Sequence, residues 1–185
     1  RWHIDFIGPL PVTKNDNRFI LICVDAYSKW VEAKALAVCD APTTASAIIE
    51  LIFSRHGVPF FIHSDQGRQF ESTLFQDLCY FFGIGKSRST PYHPEGNGLA
   101  ERFVKTLKMK LKLLSSNLKM EWDTALPLAL MAIRTTISSS TGFTPARIIY
   151  GRELRTLAST GFTEHPFEEA QPRQPHIFVE NLLAH

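Results

Sequence analysis

The sequence is poor in cysteine, in net charge and in long apolar runs, and each scarcity excludes a class of protein. Its three cysteines, Cys23, Cys39 and Cys79, are odd in number and scattered, which fits neither a disulfide framework nor a zinc knuckle. No apolar run is long enough to span a bilayer. A net charge of +2 is too small to indicate nucleic-acid binding without local clustering. We therefore expect reduced, buried thiols in an intracellular protein with no membrane partner.

What is present is the composition of a folded domain. The 185 residues are 44% hydrophobic, which is enough to bury a core. The chain opens on Arg1-Trp2 without a leader peptide, so we expect a piece of a longer polypeptide. The last stretch is rich in proline and acid and has little periodicity. We expect one domain over residues 1–152 and a linker or tail, poorly ordered, over residues 153–185.

Periodic segments predict a mixed α/β layout in which helices pack on a central sheet. Alternation and short apolar runs predict strands at 2–7, 18–28, 30–36, 60–65 and 87–90. Helical spacing with glycine stops predicts helices at 43–57, 72–84, 99–114, 122–136 and 144–151. The turn residues Asn15, Asp16 and Asn17 predict a hairpin between the first two strands.

Three carboxylates lie in distinctive local phrases: Asp5 in WHIDFIGPL, Asp65 in IHSDQGRQF and Glu101 in PYHPEGNGLAERF. The first is expected within a strand, the second at a strand end and the third on a helix, so rigid elements would hold all three. Hard divalent cations prefer oxygen ligands. Two such ions, about 3.5–4 Å apart, can hold the attacking and leaving oxygens of a phosphodiester. The three acids therefore indicate Mg²⁺-dependent phosphoryl transfer on nucleic acid.

The helix that carries Glu101 has two distinct faces. An apolar stripe should face the core, and it consists of Leu99, Phe103, Leu107, Leu111 and Leu114. Lys105, Lys108 and Lys112 share the other face with Glu101. A solvated face is the simpler interpretation of these charges. Because the third acid lies among them, we favour phosphate contacts by the lysines and by the neighbouring Arg102.

The loop before this helix, PYHPEGNG, combines two prolines with two glycines. Glycine lets a ligand approach the backbone closely. Tyr92 could stack on a base or sugar, and Asn97 could bond a phosphate or a base edge. A surface loop without a role is the alternative. Its position directly before Glu101 favours contact with DNA.

Asp25 and the histidines have weaker claims to a functional role. Asp25 follows an apolar strand and is either a fourth acid near the site or, more simply, the cap of a turn. The histidines lack the paired spacing of a zinc site, and we expect surface or hydrogen-bonding roles for them. They are His3, His56, His63 and His93.

Five phrases, in this order, resemble the catalytic core of retroviral and retrotransposon integrases, especially those of Ty3/gypsy-type elements. They are WHIDFIGPLP, VDAYSKWVEA, FSRHGVPFFIHSDQGRQF, STPYHPEGNGLAERFVKTLK and TGFTPARIIYGRE, and they cover about residues 1–152. Any one phrase is weak. Five in order, with the Asp65–Glu101 interval intact, are highly specific.

The resemblance implies an RNase H-like fold and a site for two Mg²⁺ or Mn²⁺ ions made by Asp5, Asp65 and Glu101. It implies a polynucleotidyl transferase of the Asp-Asp-Glu type with endonuclease activity. The implied reactions are processing of the 3′ ends of element DNA by water and strand transfer of the resulting 3′-OH into target DNA.

The resemblance also implies partners. Lys105 and Lys108 would hold the ends of the element's double-stranded DNA, with Tyr92 and Asn97 in a mobile active-site loop. Further copies of the chain would complete a dimer or a higher oligomer. The place of action would be the nucleus, after passage in a virus-like particle.

Two other functions stay open. A host-captured or decayed integrase domain would bind nucleic acid or protein without catalysis, although captured domains often lose one of the three acids. A plain RNase H-type nuclease usually draws on more acids and lacks this loop followed by a basic helix. The three intact acids favour the integrase.

Overall fold

A computed structural model describes residues 1–89 and 98–156, which contain a mixed sheet of five strands. The strands are β1 Trp2–Ile7, β2 Phe19–Asp25, β3 Val31–Leu36, β4 Phe61–Ser64 and β5 Gly85–Arg88. Their order in the sheet is β3-β2-β1-β4-β5. Adjacent strands among β1, β2 and β3 pair antiparallel, whereas β4 pairs parallel with both β1 and β5. All five predicted strands are present, but the second is shorter than predicted because residues 26–28 form a turn, and the fifth begins two residues earlier.

The helices lie between and after the strands. They are α1 Ala41–Ile48, α2 Ser54–His56, α3 Arg68–Glu71, α4 Thr73–Phe81, α5 Gly98–Leu118, α6 Trp122–Arg134 and α7 Pro145–Tyr150. The predicted helices are confirmed, and α5 runs further than predicted. The short α3 is not among the predicted helices, because a single turn leaves no periodic signal.

The first helical segment is continuous, since a π-helical turn over Ile49–Phe53 joins α1 to α2. It begins two residues earlier than predicted. The Asp40 carboxylate accepts a hydrogen bond of 2.9 Å from the Thr43 N–H, and Pro42 suits the first turn. Gly57 ends the segment with a φ of 80°, a conformation that favours glycine.

One face of the sheet is covered by α5 and α6. The predicted leucine stripe of α5 is confirmed, since Leu107 and Leu111 are buried and the rest of the stripe packs around them. Each fully buried side chain of this kind contributes about 1.5–3 kcal/mol to stability. The buried members of this core are Ile7, Ile20, Ile22, Val24, Val31, Leu107, Leu111, Ala125, Leu126, Ala129, Leu130 and Ile133.

Alternate residues of β1 point to the opposite face. The Trp2 ring lies 5.1 Å from His56, and the Phe6 ring lies 5.6 Å from Phe70. Phe70 in turn contacts Phe75 edge-on at 5.8 Å. Because side chains alternate along a strand, Asp5 is directed toward α5 and not toward this aromatic layer.

The β1–β2 hairpin is tied to α6 by Asp123. Its carboxylate accepts hydrogen bonds from Thr13 at 2.7 Å, from Asn15 at 3.0 Å and from Asn17 at 2.9 Å. Partial burial raises the pKa of Asp123, but these hydrogen bonds outweigh it and lower the pKa to about 2. The predicted turn residues thus hold the hairpin against a helix more than a hundred positions later.

Three broader expectations have different outcomes. The cysteines form no disulfide within the described residues, and Cys23 and Cys79 are buried as predicted, whereas Cys39 is only partly buried. In residues 1–89 and 98–156 no helix is both long and apolar enough to cross a membrane. Arg1–Glu153 forms one compact unit, and the second unit, Leu154–His185, lies almost entirely outside the described residues. The predicted tail therefore stays a prediction.

Candidate active site

The register between β1 and β4 brings two of the predicted acids to one place. His3 pairs with His63 across these parallel strands. Asp5 and Asp65 each lie two residues further along their strand direction. Because side chains recur on the same face every second residue, both carboxylates are directed to the face that α5 covers.

Asp5 is partly buried in the middle of β1. Its Oδ1 accepts a hydrogen bond of 2.7 Å from the Phe6 N–H. Burial raises the pKa of Asp5 to about 6, the Phe6 N–H opposes the rise, and the charges of Asp65 and Glu101 add to it. The nearby ammonium of Lys108 lowers this pKa. The three predicted acids therefore act on one another, and the site is short of positive charge.

Asp65 lies directly after β4 and is held by a tight turn. Its Oδ1 accepts a hydrogen bond of 2.9 Å from the Gly67 N–H. A Cβ on Gly67 would lie 2.6 Å from the amide nitrogen at the end of the Gln69 side chain and 3.0 Å from Asp65 Oδ1. A larger residue would crowd the carboxylate and push the Gln69 side chain away, so glycine gives the backbone room to approach Asp65.

Glu101 lies in the first turn of α5, with an exposed side chain. Lys105, Lys108 and Lys112 are exposed as well. The position of Lys108 is the most informative, because its charge reaches Asp5 on the neighbouring strand. Lys112 joins Lys108 at the border of an apolar groove of about 380 Å³. The face that carries the third acid is thus confirmed as exposed and basic.

The other predicted DNA contacts are not gathered here. Arg102 is exposed but lines a different cleft, on another side of α5. Tyr92 and Asn97 lie outside the described residues, as does His93. Their predicted contacts with DNA stay predictions.

The carboxylate oxygens at this site are suitable ligands for a divalent cation, but the side chains are not arranged around a metal position. Three carboxylates supply oxygen ligands, which Mg²⁺ prefers. Burial is the main cause of the raised pKa of Asp5, and the negative charges of Asp65 and Glu101 add to it, so a bound cation would favour its ionised form. In the part of the chain that the structure describes, no group of three His, Cys, Asp or Glu side chains is arranged to hold a metal ion.

Sequence reasoning missed the pair of histidines beside the acids. The rings of His3 and His63 lie 4.8 Å apart, and both side chains are buried. Nδ1 of His3 and Nε2 of His63 have no hydrogen-bond partner in the described residues. Ser87 Oγ lies 2.9 Å from Nδ1 of His63. The signal was available, because the motif His-X-Asp occurs twice, at residues 3–5 and 63–65.

Sequence reasoning also missed a buried ionic network at the edge of the sheet. Glu32 on β3 is 3% exposed and accepts hydrogen bonds from Arg134 at 2.7 Å and from Arg55 at 3.1 Å. The indole of Trp30 donates to the same carboxylate at 2.9 Å, and His56 lies 3.0 Å from it. Every charge in this network has a partner, so it holds the sheet to its helices and is not a free site.

The two interpretations of Asp25 are separated by its contacts. Its Oδ2 accepts hydrogen bonds of 2.8 Å from the Ser28 N–H and 2.7 Å from the Ser28 hydroxyl. Asp25 pairs with Trp2 in the register, three residues away from the position opposite Asp5. Asp25 therefore caps the turn between β2 and β3, as the simpler interpretation expects.

Known proteins match most of the chain. The integrase core domain family matches residues 1–94. The "Uncharacterized protein K02A2.6" of Caenorhabditis elegans is 38% identical over 159 residues, which are 86% of this chain and 12% of that protein. The Gag-Pol polyprotein of Koala retrovirus is 35% identical over 159 residues, 85% of this chain and 9% of the polyprotein. The chain spans about a tenth of the length of these relatives.

Solved structures of integrases share the fold. The catalytic core domain of BIV integrase has a TM-score of 0.64 and 28% identity, over 80% of this chain and 91% of that chain. The HTLV-2 integrase core in complex with magnesium, in a trimeric form, has a TM-score of 0.64 and 26% identity, with coverages of 80% and 93%. A chain of the simian T-cell lymphotropic virus intasome, in complex with PP2A regulatory subunit B56 gamma, reaches a TM-score of 0.70 and 26% identity, with coverages of 84% and 55%. The predicted RNase H-like fold is confirmed, and the chain belongs to the integrase core domain family of retroviruses and retrotransposons, the family of DNA integration.

Proposed function

We propose that this chain is the catalytic core of a polynucleotidyl transferase that joins the ends of element DNA to target DNA. One observation carries the proposal: three carboxylates from separate elements lie near enough to one another that the charges of Asp65 and Glu101 both raise the pKa of Asp5. Membership of the integrase core domain family supports it.

Asp5, Asp65 and Glu101 would hold two Mg²⁺ or Mn²⁺ ions in the active complex. When bound, such ions activate the attacking oxygen and offset the charge that develops on the leaving oxygen. Two observations support the metal: the partly buried carboxylate of Asp5, which the negative charges of Asp65 and Glu101 reach, and the HTLV-2 neighbour, whose structure is in complex with magnesium.

The chain's own side chains position the DNA. Lys108 would contact a phosphate close to Asp5, and Lys105 and Lys112 would extend that contact along α5. In end processing, water attacks phosphorus and the departing oxygen becomes a free 3′-OH. In strand transfer that 3′-OH attacks a target phosphodiester, so one P–O bond forms as another breaks. No nucleophile from the protein is needed.

Assembly and place of action belong to the same proposal. We infer that the chain works as a dimer or a higher oligomer on double-stranded DNA in the nucleus. The neighbours support the assembly, because one is part of an intasome and another is in a trimeric form.

One observation favours the alternative of a captured or decayed domain that binds DNA or protein without catalysis. No metal-holding group of three acids, histidines or cysteines is formed within residues 1–89 and 98–156. Such a domain would keep the basic face of α5 and bind DNA, but it would not join strands with either metal ion.

A disintegration assay on a branched DNA substrate separates the two functions. The wild-type chain, Asp65→Asn and the control Asp77→Asn are compared with Mg²⁺, with Mn²⁺ and with EDTA. Asp77 is an exposed acid on α4 and is not one of the three acids assigned to the site. We expect Asp65→Asn to abolish joining with an unchanged circular dichroism spectrum, and Asp77→Asn to retain it. Joining by Asp65→Asn at the wild-type rate would refute the metal-site assignment. Binding of DNA by the wild type without joining under any condition would favour the captured domain.

A further inference from the structure

A second basic feature lies on α5, away from the Glu101 face. It is a cleft of about 200 Å³ between α5, the β2–β3 turn and the segment that joins α6 to α7. Three cationic side chains line it: Lys29, Arg102 and Lys110. Hydroxyl groups surround them, from Thr106, Thr136, Ser138, Ser139 and Ser140. No acidic residue is part of the lining.

The three cations of this cleft lack acidic partners. Within residues 1–89 and 98–156, no carboxylate lies at ion-pair distance from Lys29, Arg102 or Lys110. Lys29 donates to the backbone carbonyl of Ala26, which fixes its position without neutralising it. Three positive charges without an acidic partner make a site for an anion. The Thr106 and Thr136 hydroxyls donate to backbone carbonyls, and those of Ser138 and Ser140 bond each other, so the cations carry the attraction.

The spacing along α5 suits an extended anion. The residues Arg102, Thr106 and Lys110 are spaced four positions apart along α5, so they form one stripe about 12 Å long. That length corresponds to about three to four steps along one strand of duplex DNA. At about 100° per residue, this stripe lies roughly a third of a turn around the helix from Lys105, Lys108 and Lys112. The helix therefore presents two separate basic stripes.

We propose that this cleft binds the phosphate backbone of a DNA strand, as a contact distinct from the Lys105–Lys112 face. The proposal rests on the proposed function, which supplies DNA as the substrate. Arginine forms two parallel hydrogen bonds with a phosphate, and lysine supplies a point charge. The regular spacing of Arg102 and Lys110 along one helix favours an extended phosphate backbone over an acidic protein segment, and the test distinguishes the two.

The test is a salt titration of DNA binding by the full chain. All variants carry Asp65→Asn and are measured in EDTA, so that binding is read without chemistry. Arg102→Gln with Lys110→Gln is compared with Lys14→Gln with Lys119→Gln, which removes the same charge from two exposed loop lysines. Fluorescence anisotropy with a duplex oligonucleotide gives the slope of log K against log salt concentration. Losing two phosphate contacts lowers that slope by about 2.

We expect the cleft variant to show this loss of slope, with at least tenfold weaker binding at low salt, and the control to match the parent protein. Equal slopes for the cleft variant and the control would overturn the proposal. It would also be overturned if sedimentation showed lost self-association with unchanged DNA affinity, because the cleft would then take an acidic segment of another copy. The proposed catalysis can fail separately, since a chain that joins no strands can still show the slope difference.

Discussion

The imidazole rings of His3 and His63 lie 4.8 Å apart on neighbouring parallel strands, two residues before Asp5 and Asp65. Both rings are buried. Burial, the neighbouring ring of His63 and the charge of Arg1 together lower the pKa of His3 to about 4. Burial and the charge of Arg1 also lower the pKa of His63. A neutral, close-packed pair of imidazoles therefore lies beside the two acids, and it packs across the register that brings Asp5 next to Asp65.

This pair predicts an acid-sensitive step in stability. The folded pKa of His3, about 4, lies below the unfolded value of 6.5, so the unfolded chain binds more protons between these pH values. Stability is complete above pH 6.5 and is lost as the pH falls toward 4. The variant His3→Gln lacks this titration. Over this pH range its free energy of unfolding should therefore fall by about 1–3 kcal/mol less than that of the wild type. Urea unfolding in EDTA at pH 7.5, 5.5 and 4.5 measures it. Parallel curves for the two proteins would contradict the prediction.

Asp5 predicts the opposite pH dependence. Its folded pKa of about 6 lies above the ordinary 3.8, so the folded chain binds more protons between these values. Stability therefore falls as the pH rises from about 4 to 6, and the ionised carboxylate stays unfavourable above that. Urea unfolding of Asp5→Asn at pH 7.5 in EDTA should give a free energy of unfolding about 1–2 kcal/mol higher than that of the wild type, after allowance for solvent screening. The difference should disappear below pH 3.8. A variant less stable than the wild type at pH 7.5 would refute the argument.

The same carboxylate predicts a response to metal. If Asp5, Asp65 and Glu101 hold Mg²⁺ or Mn²⁺, millimolar cation should raise the melting temperature of the wild type at pH 7.5 and lose its effect in Asp5→Asn. Asp77→Asn removes an acid from exposed α4 and should respond as the wild type does. Differential scanning fluorimetry with and without the cation reads this directly. An equal shift in Asp5→Asn would place the bound cation elsewhere.

Local pattern identified the strands and all the helices except the single-turn α3, but it could not show which elements lie beside one another. Alternation identified β1, and helical spacing identified the leucine stripe of α5, because each signal depends on residues that are close in sequence. The proximity of Asp5 to Asp65 depends on β4 inserting beside β1, and no periodicity records that order. The resemblance supplied it instead. The repeated His-X-Asp motif was the one local signal of the pairing between β1 and β4, because its two copies lie side by side in these strands.

The Glu32 network shows the same limit for charged residues. The phrase VEAKAL predicted a strand, and nothing in it marked Glu32 as buried. Its main partner, Arg134, is 102 positions away in the chain. A charge alone in sequence is normally a surface charge, so only the fold reveals that this one is paired.

Replacing the partners of Glu32 one at a time should show that the buried partner contributes more to stability than the exposed one. Arg134 stacks over Trp30 at 4.4 Å and donates to the Val31 carbonyl as well as to Glu32. Arg134→Met leaves Glu32 buried with less compensation and should cost about 3–5 kcal/mol. Arg55→Met removes a guanidinium that is 47% exposed and should cost under about 1 kcal/mol. Urea denaturation of both variants compares the two losses. Similar losses of stability in the two variants would mean that the buried contacts of Arg134 contribute no more than the exposed contact of Arg55.

The basic face of α5 predicts how DNA ends are held. Lys105→Glu with Lys108→Glu places two negative charges where the proposed function needs phosphate contacts, one of them beside Asp5. Binding of element-end DNA should weaken, and the slope of log K against log salt concentration should fall by about 2 or more. Lys14→Glu with Lys119→Glu carries the same change of charge on exposed loops and controls for long-range electrostatics, which would weaken binding by both variants equally. Fluorescence anisotropy across a salt titration distinguishes these outcomes. If the two double variants bind alike, the α5 lysines act only through the net charge of the protein, and the role of this face in holding DNA ends is wrong.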